Sequence, residues 1–272
     1  MTTSATPAPR IAFLSDFGTA DEFVGVVHAV LSAHAPSAAR IDVTHHIPAH
    51  DIQAGALTLW RAAPWLAPGV ILGVVDPGVG TERRAVAIEV AEAGTVLVGP
   101  DTGLLLPAAH RLGPVTGAVE LPPEPTAPGA TFAGRDIFAP AAGRAAAGAP
   151  LQDLGEPLDP ATLRGEAVPE PGLGKAGEVD AQVLWVDHFG NAQLNATPAH
   201  TGTGPLQVHS PHREALLRVV PSYGAIAPDE VALVVDSYGY LSISAPRRSA
   251  AHLWGLHPGD AVRLRPDPPG HR

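Results

Sequence analysis

The residues able to do chemistry fall into short runs, and the first two pair a carboxylate with a turn. In SDFGTADEF (15–23), Asp16 follows an apolar run and is soon followed by Gly18. A carboxylate at a strand end beside a glycine suits a two-point contact with a ribose diol. The structural alternative is a helix N-cap. In DPGVGTERR (76–84), Asp76 precedes a Pro77–Gly78 and Gly80 turn, and Arg83 and Arg84 follow. Glycines there let a ligand approach the backbone closely. An Asp and an Arg converging on one site can hold and polarise a water. The structural alternative is a salt-bridged hairpin. The run lacks the Gly-Lys-Ser/Thr ending of a phosphate-binding loop.

Four further runs carry polar or aromatic groups. THHIPAHD (44–51) has three His and an Asp, but its spacing fits no helical zinc motif. Pocket lining by residues such as His50, or capping, is the better reading, and no metal is expected. In FAGRDIFAPAA (132–142), Asp136 is placed to cap a following helix. In WVDHFGNAQLN (185–195), Asp187 and Asn191 flank an aromatic–Gly turn. Their amide and carboxylate can fix an amino acid or a nucleobase against Phe189, or simply build a hairpin. In DSYGYLSIS (236–244), Tyr238 and Tyr240 can stack on a base or serve as sheet residues.

Composition removes several classes of function. The chain has 272 residues with a net charge of −10, and its basic residues do not cluster. A nucleic-acid surface needs clustered Lys and Arg, so none is expected. The absence of Cys excludes disulfides, thiolate catalysis and thiolate metal sites, and is compatible with a reducing compartment. Residues 1–10 contain no apolar core of a signal peptide, and no apolar run reaches membrane-spanning length. A cytoplasmic protein without membrane contact is expected. Charged residues are only 16%, against a usual figure of about 25%. The 29 Gly and 30 Pro are spread along the chain and signal many turns.

The elements that must position these runs follow from periodicity. RIAFLSD (10–16), RIDVT (40–44), GVILGVVD (69–76), AVAIEV (85–90) and TVLVG (95–99) read as strands. A helix that Asp21 can cap ends before Pro36, a second spans 53–63, and an Ala-rich third spans 136–147. This predicts an α/β domain over 10–165 with a mostly parallel, buried sheet. Ligands bind beyond the carboxyl ends of such strands, where Asp16, His45 and Asp76 lie. A Pro-rich connection occupies 121–130. Residues 155–178 are rich in Gly, Pro and acidic residues and contain the linker, set at 166–176. Short strands with turns between them then predict a small antiparallel β-barrel-like domain over 177–268.

Singly these runs say little, but their order is specific. SDFGTADEFVG, DVTHHIP, VVDPGVGTERR, VGPDTGLL, FAGRDIFAPAA, DHFGNAQLN and DSYGYLSI together resemble the S-adenosyl-L-methionine hydroxide adenosyltransferase family. These are adenosine-forming hydrolases related to the fluorinase and chlorinase. The resemblance runs from Ile11 to Leu264, nearly the whole chain. It implies the two-domain architecture above and a homotrimer with active sites between subunits. It further implies the reaction of S-adenosyl-L-methionine with water to give adenosine and L-methionine, with no cofactor.

The resemblance assigns roles. It gives Asp16 the ribose hydroxyls and Asp187 and Asn191 the methionine and adenine portions, with Phe189 packing nearby. Ser237 and Tyr238 match the segment that holds the methionine carboxylate and amine, and His50 lies in a pocket-lining motif. Asp76 and Arg83 match two members of the hydrolase branch's Asp–Arg–His triad. The third position differs: the family's Phe-His-Gly-Arg-Asp is here Phe132-Ala133-Gly134-Arg135-Asp136. His50 and His188 are the nearby-motif histidines able to compensate. Asp236 likewise replaces a usual Asn. Two other readings stay open: a non-catalytic or very slow S-adenosylmethionine or adenosine binder, and a halogenase. Against the last, Asp76 would repel a halide.

Overall fold

The computed structural model describes residues 9–123 and 129–267. Most of the N-terminal ten residues, the centre of the Pro-rich connection and residue 268 lie outside them. The chain divides into two compact units, Met1–Val168 and Pro169–Arg272.

The first unit is built on β1 (Arg10–Ser15), β2 (Ala39–Thr44), β3 (Gly69–Val74), β4 (Ala85–Val90), β5 (Thr95–Pro100), β6 (Gly117–Glu120) and β7 (Glu156–Pro157). The order across the sheet is β2-β1-β3-β5-β4-β6-β7. The four strands from β2 to β5 are parallel, and β4, β6 and β7 continue the sheet with antiparallel pairings. The sheet is therefore mixed, with β2, β1, β3 and β5 as its parallel half.

Strands β1 and β3 are covered on both faces, which is why they are apolar without alternation. Ile11, Phe13, Val70 and Leu72 pack with Val27 and Leu31 of α1 (Phe23–His34) and Phe138 and Ala142 at α4 (Ala139–Ala146). On the opposite face lie α2 (Ile52–Leu66) and α3 (Leu106–Leu112), which pack on each other. A Cβ at Gly73 would lie 3.0 Å from Leu59 of α2, so the helix sits close because β3 has a glycine there.

The chain leaves β1 for β2 on one side and then reaches β3 on the other. The β1/β3 border is thus a topological switch point, where open α/β sheets form their ligand crevice.

Two expected caps are not used. Helix α1 starts at Phe23 after Glu22, without a side-chain cap from Asp21. Residues Gly134–Phe138 form a π-helical turn before α4, and Asp136 there pairs with Arg135 instead of capping. Phe23 and Gly134, the first residues of these two segments, line the cleft described below.

The second unit comprises β8 (Gly172–Leu173), β9 (Val179–Val186), β10 (Ala192–Leu194), β11 (Leu206–His209), β12 (Glu214–Leu217), β13 (Val219–Val220), β14 (Ala232–Val235), β15 (Leu241–Ser244) and β16 (Ala261–Pro266). Their order is β12-β11-β16-β9-β10-β15-β14-β13, with β8 also on β9. All pairings are antiparallel except β13–β14. The sheet curls into a nearly closed barrel around Val183, Leu194, Leu206, Leu233, Ile243 and Leu264. Helices α5 (Pro198–Thr201) and α6 (Ala250–Trp254) are short. No helix among the described residues is long and apolar enough to cross a membrane.

Candidate active site

Both site carboxylates of the first unit emerge at the β1/β3 border. Asp16 follows the last residue of β1, and its backbone N–H reaches the Val74 carbonyl of β3 at 3.4 Å. Asp76 lies two residues beyond β3. A cleft of about 250 Å³ opens here, and Asp16, His50, Asp76, Val79 and Ala133 line it.

Asp76 is held by Arg83. The guanidinium Nε donates to Oδ1 at 2.9 Å and to Oδ2 at 3.0 Å, and a terminal nitrogen donates to Oδ2 at 2.6 Å. The side chains are 7% and 10% exposed, so the pair is largely withdrawn from water. A tight turn aligns the partners: Val79 N–H donates to the Asp76 carbonyl, and Thr81 Oγ1 donates to the Gly78 carbonyl at 2.7 Å. A Cβ at Gly78 would come within 3.1 Å of Arg83 Cγ, so glycine lets the arginine fold back. Phe138 lies beneath the guanidinium, 5.1 Å from its ring centre. The two-point contact with the guanidinium fixes this carboxylate where it lines the cleft.

Arg84, adjacent in sequence, is sent elsewhere. It pairs with buried Asp101 at 2.5 Å and also donates to the Thr162 hydroxyl and carbonyl. Asp101 in turn accepts the Arg164 N–H at 2.7 Å. Arg84 therefore ties the segment around Thr162 to the sheet.

Asp16 is positioned through backbone. Its Oδ2 accepts the His50 N–H at 2.9 Å. His50 has φ +69°, uncommon for a non-glycine residue, and directly precedes Asp51, which caps α2 by accepting the Ala54 N–H. The sharp bend at His50 aims one amide at Asp16 while the next residue starts a helix.

Phe17, Phe23 and Phe132 form an aromatic wall that sequence reading did not identify. Their ring centres lie 5.2 to 5.9 Å apart, and all three line the cleft. They sit inside two runs singled out for their charges, which was the available signal. Ala133 is buried in this wall region and faces the same cleft as Asp76.

The second unit presents two turns. In the first, Asp187 Oδ1 accepts the N–H groups of Phe189 and Asn191, each at 2.9 Å, and Oδ2 accepts the Asn191 amide at 2.8 Å. Asp187 and Asn191 thus satisfy each other and hold the turn, and Phe189 projects from it, 75% exposed with His188 beside it. In the second turn, Asp236 Oδ1 accepts the N–H groups of Tyr238 and Tyr240, and Oδ2 accepts the amide of buried Gln193. Ser237 and Tyr238 sit at the tip of this turn. Gln193 is the partner that sequence reading missed. Burial, and then the nearby charges of Asp187 and Asp236, push the Tyr223 hydroxyl above its usual range.

Residues 11–155 match the SAM hydroxide adenosyltransferase N-terminal domain and residues 181–263 the corresponding C-terminal domain. A protein of Salinispora tropica named (R)-S-adenosyl-L-methionine hydrolase is 44% identical over 95% of this chain and 98% of its own length. A Thermus thermophilus protein of the same name is 40% identical over 93% and 98%. Among solved structures, an uncharacterised conserved protein from Thermotoga maritima superposes with a TM-score of 0.86 at 30% identity, covering 94% of this chain and 99% of that one.

Proposed function

Because this chain belongs to the SAM hydroxide adenosyltransferase family, we propose that it hydrolyses (R)-S-adenosyl-L-methionine to adenosine and L-methionine. A water oxygen bonds to the ribose C5′ in line with the sulfonium as the C5′–S bond breaks, and the water's surplus proton passes by way of the Asp76 side to solvent. Methionine leaves as a neutral thioether, so no general acid is needed. The nucleophile is the difficulty, because water is weak and hydroxide is scarce near neutral pH.

One observation carries this reading: an Arg-braced Asp76 shares a cleft with Asp16. Asp16 would take the ribose hydroxyls. A carboxylate offers about four lone-pair sites, and the His50 amide uses one. Asp76 would accept a hydrogen bond from the water and aim it at C5′. Arg83 holds Asp76 still, and the aromatic wall reduces competing solvent. A cleft of about 250 Å³ is smaller than the roughly 300–1,000 Å³ of a whole-ligand pocket. It suits the reacting centre, and the two C-terminal turns would supply contacts to methionine and adenine.

The same reading places the reaction in the cytoplasm and in a homotrimer whose subunits complete one another's sites. Trp65, 76% exposed on α2, is a large apolar side chain left for such a contact.

The test is incubation with separated sulfonium epimers in ¹⁸O-water, with and without halide. The expected product is adenosine carrying ¹⁸O at its 5′ oxygen, preferentially from the (R) epimer and independent of halide. Ligand-induced stabilisation without turnover would identify a binder. A halogenated nucleoside would identify a halogenase.

A further inference from the structure

A second cluster of polar side chains lies under the Asp16 loop and has no part in the chemistry above. His28 of α1 places Nε2 2.8 Å from Asp42 Oδ1, and His45 places its own Nε2 3.1 Å from the same oxygen. The three donor atoms lie within 4.8 Å of one another. His45 is 5% exposed, yet its Nε2 has no aligned hydrogen-bond partner despite that proximity. A buried ring nitrogen aimed at a carboxylate without a directed bond is unusual, because buried polar atoms are normally satisfied.

We propose that His28, Asp42 and His45 bind a divalent transition-metal ion of the zinc class, which clamps α1 to the carboxyl ends of β1 and β2. Two imidazoles and one carboxylate are a donor set that zinc takes readily, with a fourth position left for water. Bonds of about 2.0–2.1 Å in tetrahedral geometry separate ligand atoms by roughly 3.3 Å. The present 2.8 and 3.1 Å contacts need to open by only a few tenths of an ångström.

The surroundings are those of a built site. Ser15 Oγ lies 2.8 Å from His45 Nδ1. A metal on Nε2 leaves Nδ1 protonated, so the ring donates to this hydroxyl, and such outer contacts fix ring orientation. Phe13 packs against both imidazoles, with ring centres 5.9 and 4.6 Å away. The Asp42 side chain is about half exposed, which gives the ion a way in. Sequence spacing assigns no metal to THHIPAHD because that run holds only His45 of the three ligands, with Asp42 on β2 and His28 on α1, fourteen residues before Asp42. The clamp adjoins the substrate cleft, since Ser15 precedes Asp16 and the His45 carbonyl accepts the Gly18 N–H at 2.7 Å.

The experiment uses the full chain, stripped with chelator and titrated with Zn²⁺ by calorimetry and with Co²⁺ by visible absorption. The expected result is one saturable equivalent per chain, with Co²⁺ bands of a four- or five-coordinate nitrogen–oxygen site. His28→Gln, at a partly exposed position, should weaken binding at least tenfold. Ser15→Ala should weaken it roughly 10–100-fold by freeing the His45 ring. Zn²⁺ should raise the melting temperature of the natural chain and leave folded His28→Gln unmoved. The proposal is overturned if the natural chain binds no stoichiometric ion. It is equally overturned if folded His28→Gln and Asp42→Asn both bind as tightly, since the ion would then sit on other surface histidines.

Discussion

Asp187 and Asp236 occupy the same corner of two turns built alike. Each carboxylate Oδ1 accepts the N–H groups two and four residues on. Each aspartate N–H donates to the carbonyl four residues on, and each carbonyl accepts the N–H of the glycine three residues on. The glycines have φ +82° and +84°, and the residues at the tips are Phe189 and Tyr238. The pattern Asp-x-aromatic-Gly-x is therefore a local device that presents an aromatic ring, used twice on neighbouring hairpins of one barrel.

The two glycines differ in what surrounds them, which sets a first prediction. A Cβ at Gly190 would collide with Ser249, including its Cα at 2.6 Å, whereas Gly239 has nothing within 4 Å. Gly239→Ala should cost about 1–3 kcal/mol of backbone strain alone. Gly190→Ala should cost clearly more, because α6 must also move. Denaturant midpoints of the two variants check this, and equal losses would refute it.

Asp76→Asn should lower kcat by at least about 10²-fold with little change in the affinity for adenosine, since it replaces the water-directing carboxylate with a neutral amide that is a far weaker acceptor. It should also destabilise the fold, by roughly 3–5 kcal/mol if Arg83 is left uncompensated in its largely buried position. Single-turnover kinetics and thermal melts separate the two effects.

Ala133→His should raise kcat by up to roughly 10²-fold, because an imidazole there would stand in the cleft beside Asp76 and accept a proton. A folded variant that binds substrate equally well and is no faster would refute this. His50 and His188 would then be the residues to replace next.

Asp16→Ala should weaken adenosine binding by about 2–4 kcal/mol while changing the chemical step less. It also leaves the His50 N–H without its carboxylate. Calorimetry with adenosine is the measurement, and unchanged affinity removes Asp16 from the ribose site.

Tyr223 gives a pH dependence. Burial, then the charges of Asp187 and Asp236, raise its folded pKa above the ordinary 10.0. The folded state therefore keeps this proton longer than the unfolded state does. The associated stability is present below about pH 10 and is lost as pH rises from the unfolded value through the raised folded one. Tyr223→Phe should flatten the alkaline loss of stability and remove a late component from the tyrosinate absorbance titration. An unchanged titration would refute it.

Local signals carried much of this protein. Apolar runs ending in Asp16 and Asp76 were legible because a strand buried on both faces needs continuous apolar residues, and its end needs none. The Asp-x-aromatic-Gly-x turns were legible because an Asx turn and a positive-φ glycine are local features. The motif order from Ile11 to Leu264 pointed to the family for the same reason: each motif is a contiguous stretch. What the sequence could not decide was which distant group each side chain meets. Arg83 and Arg84 are neighbours in the chain, yet strand geometry sends one to Asp76 and the other to Asp101 and Thr162. β4 reads as another strand of a parallel sheet, but it lies antiparallel between β5 and β6, because direction is set by pairing and not by pattern. Phe17, Phe23 and Phe132 become one wall only when the π-helical turn at Gly134 comes up against the end of β1. His28 reaches Asp42 and His45 only because α1 packs on β1, with β2 paired alongside. Identical turns at Gly190 and Gly239 are told apart only by Ser249, far along the chain, because excluded volume is a property of the packed molecule.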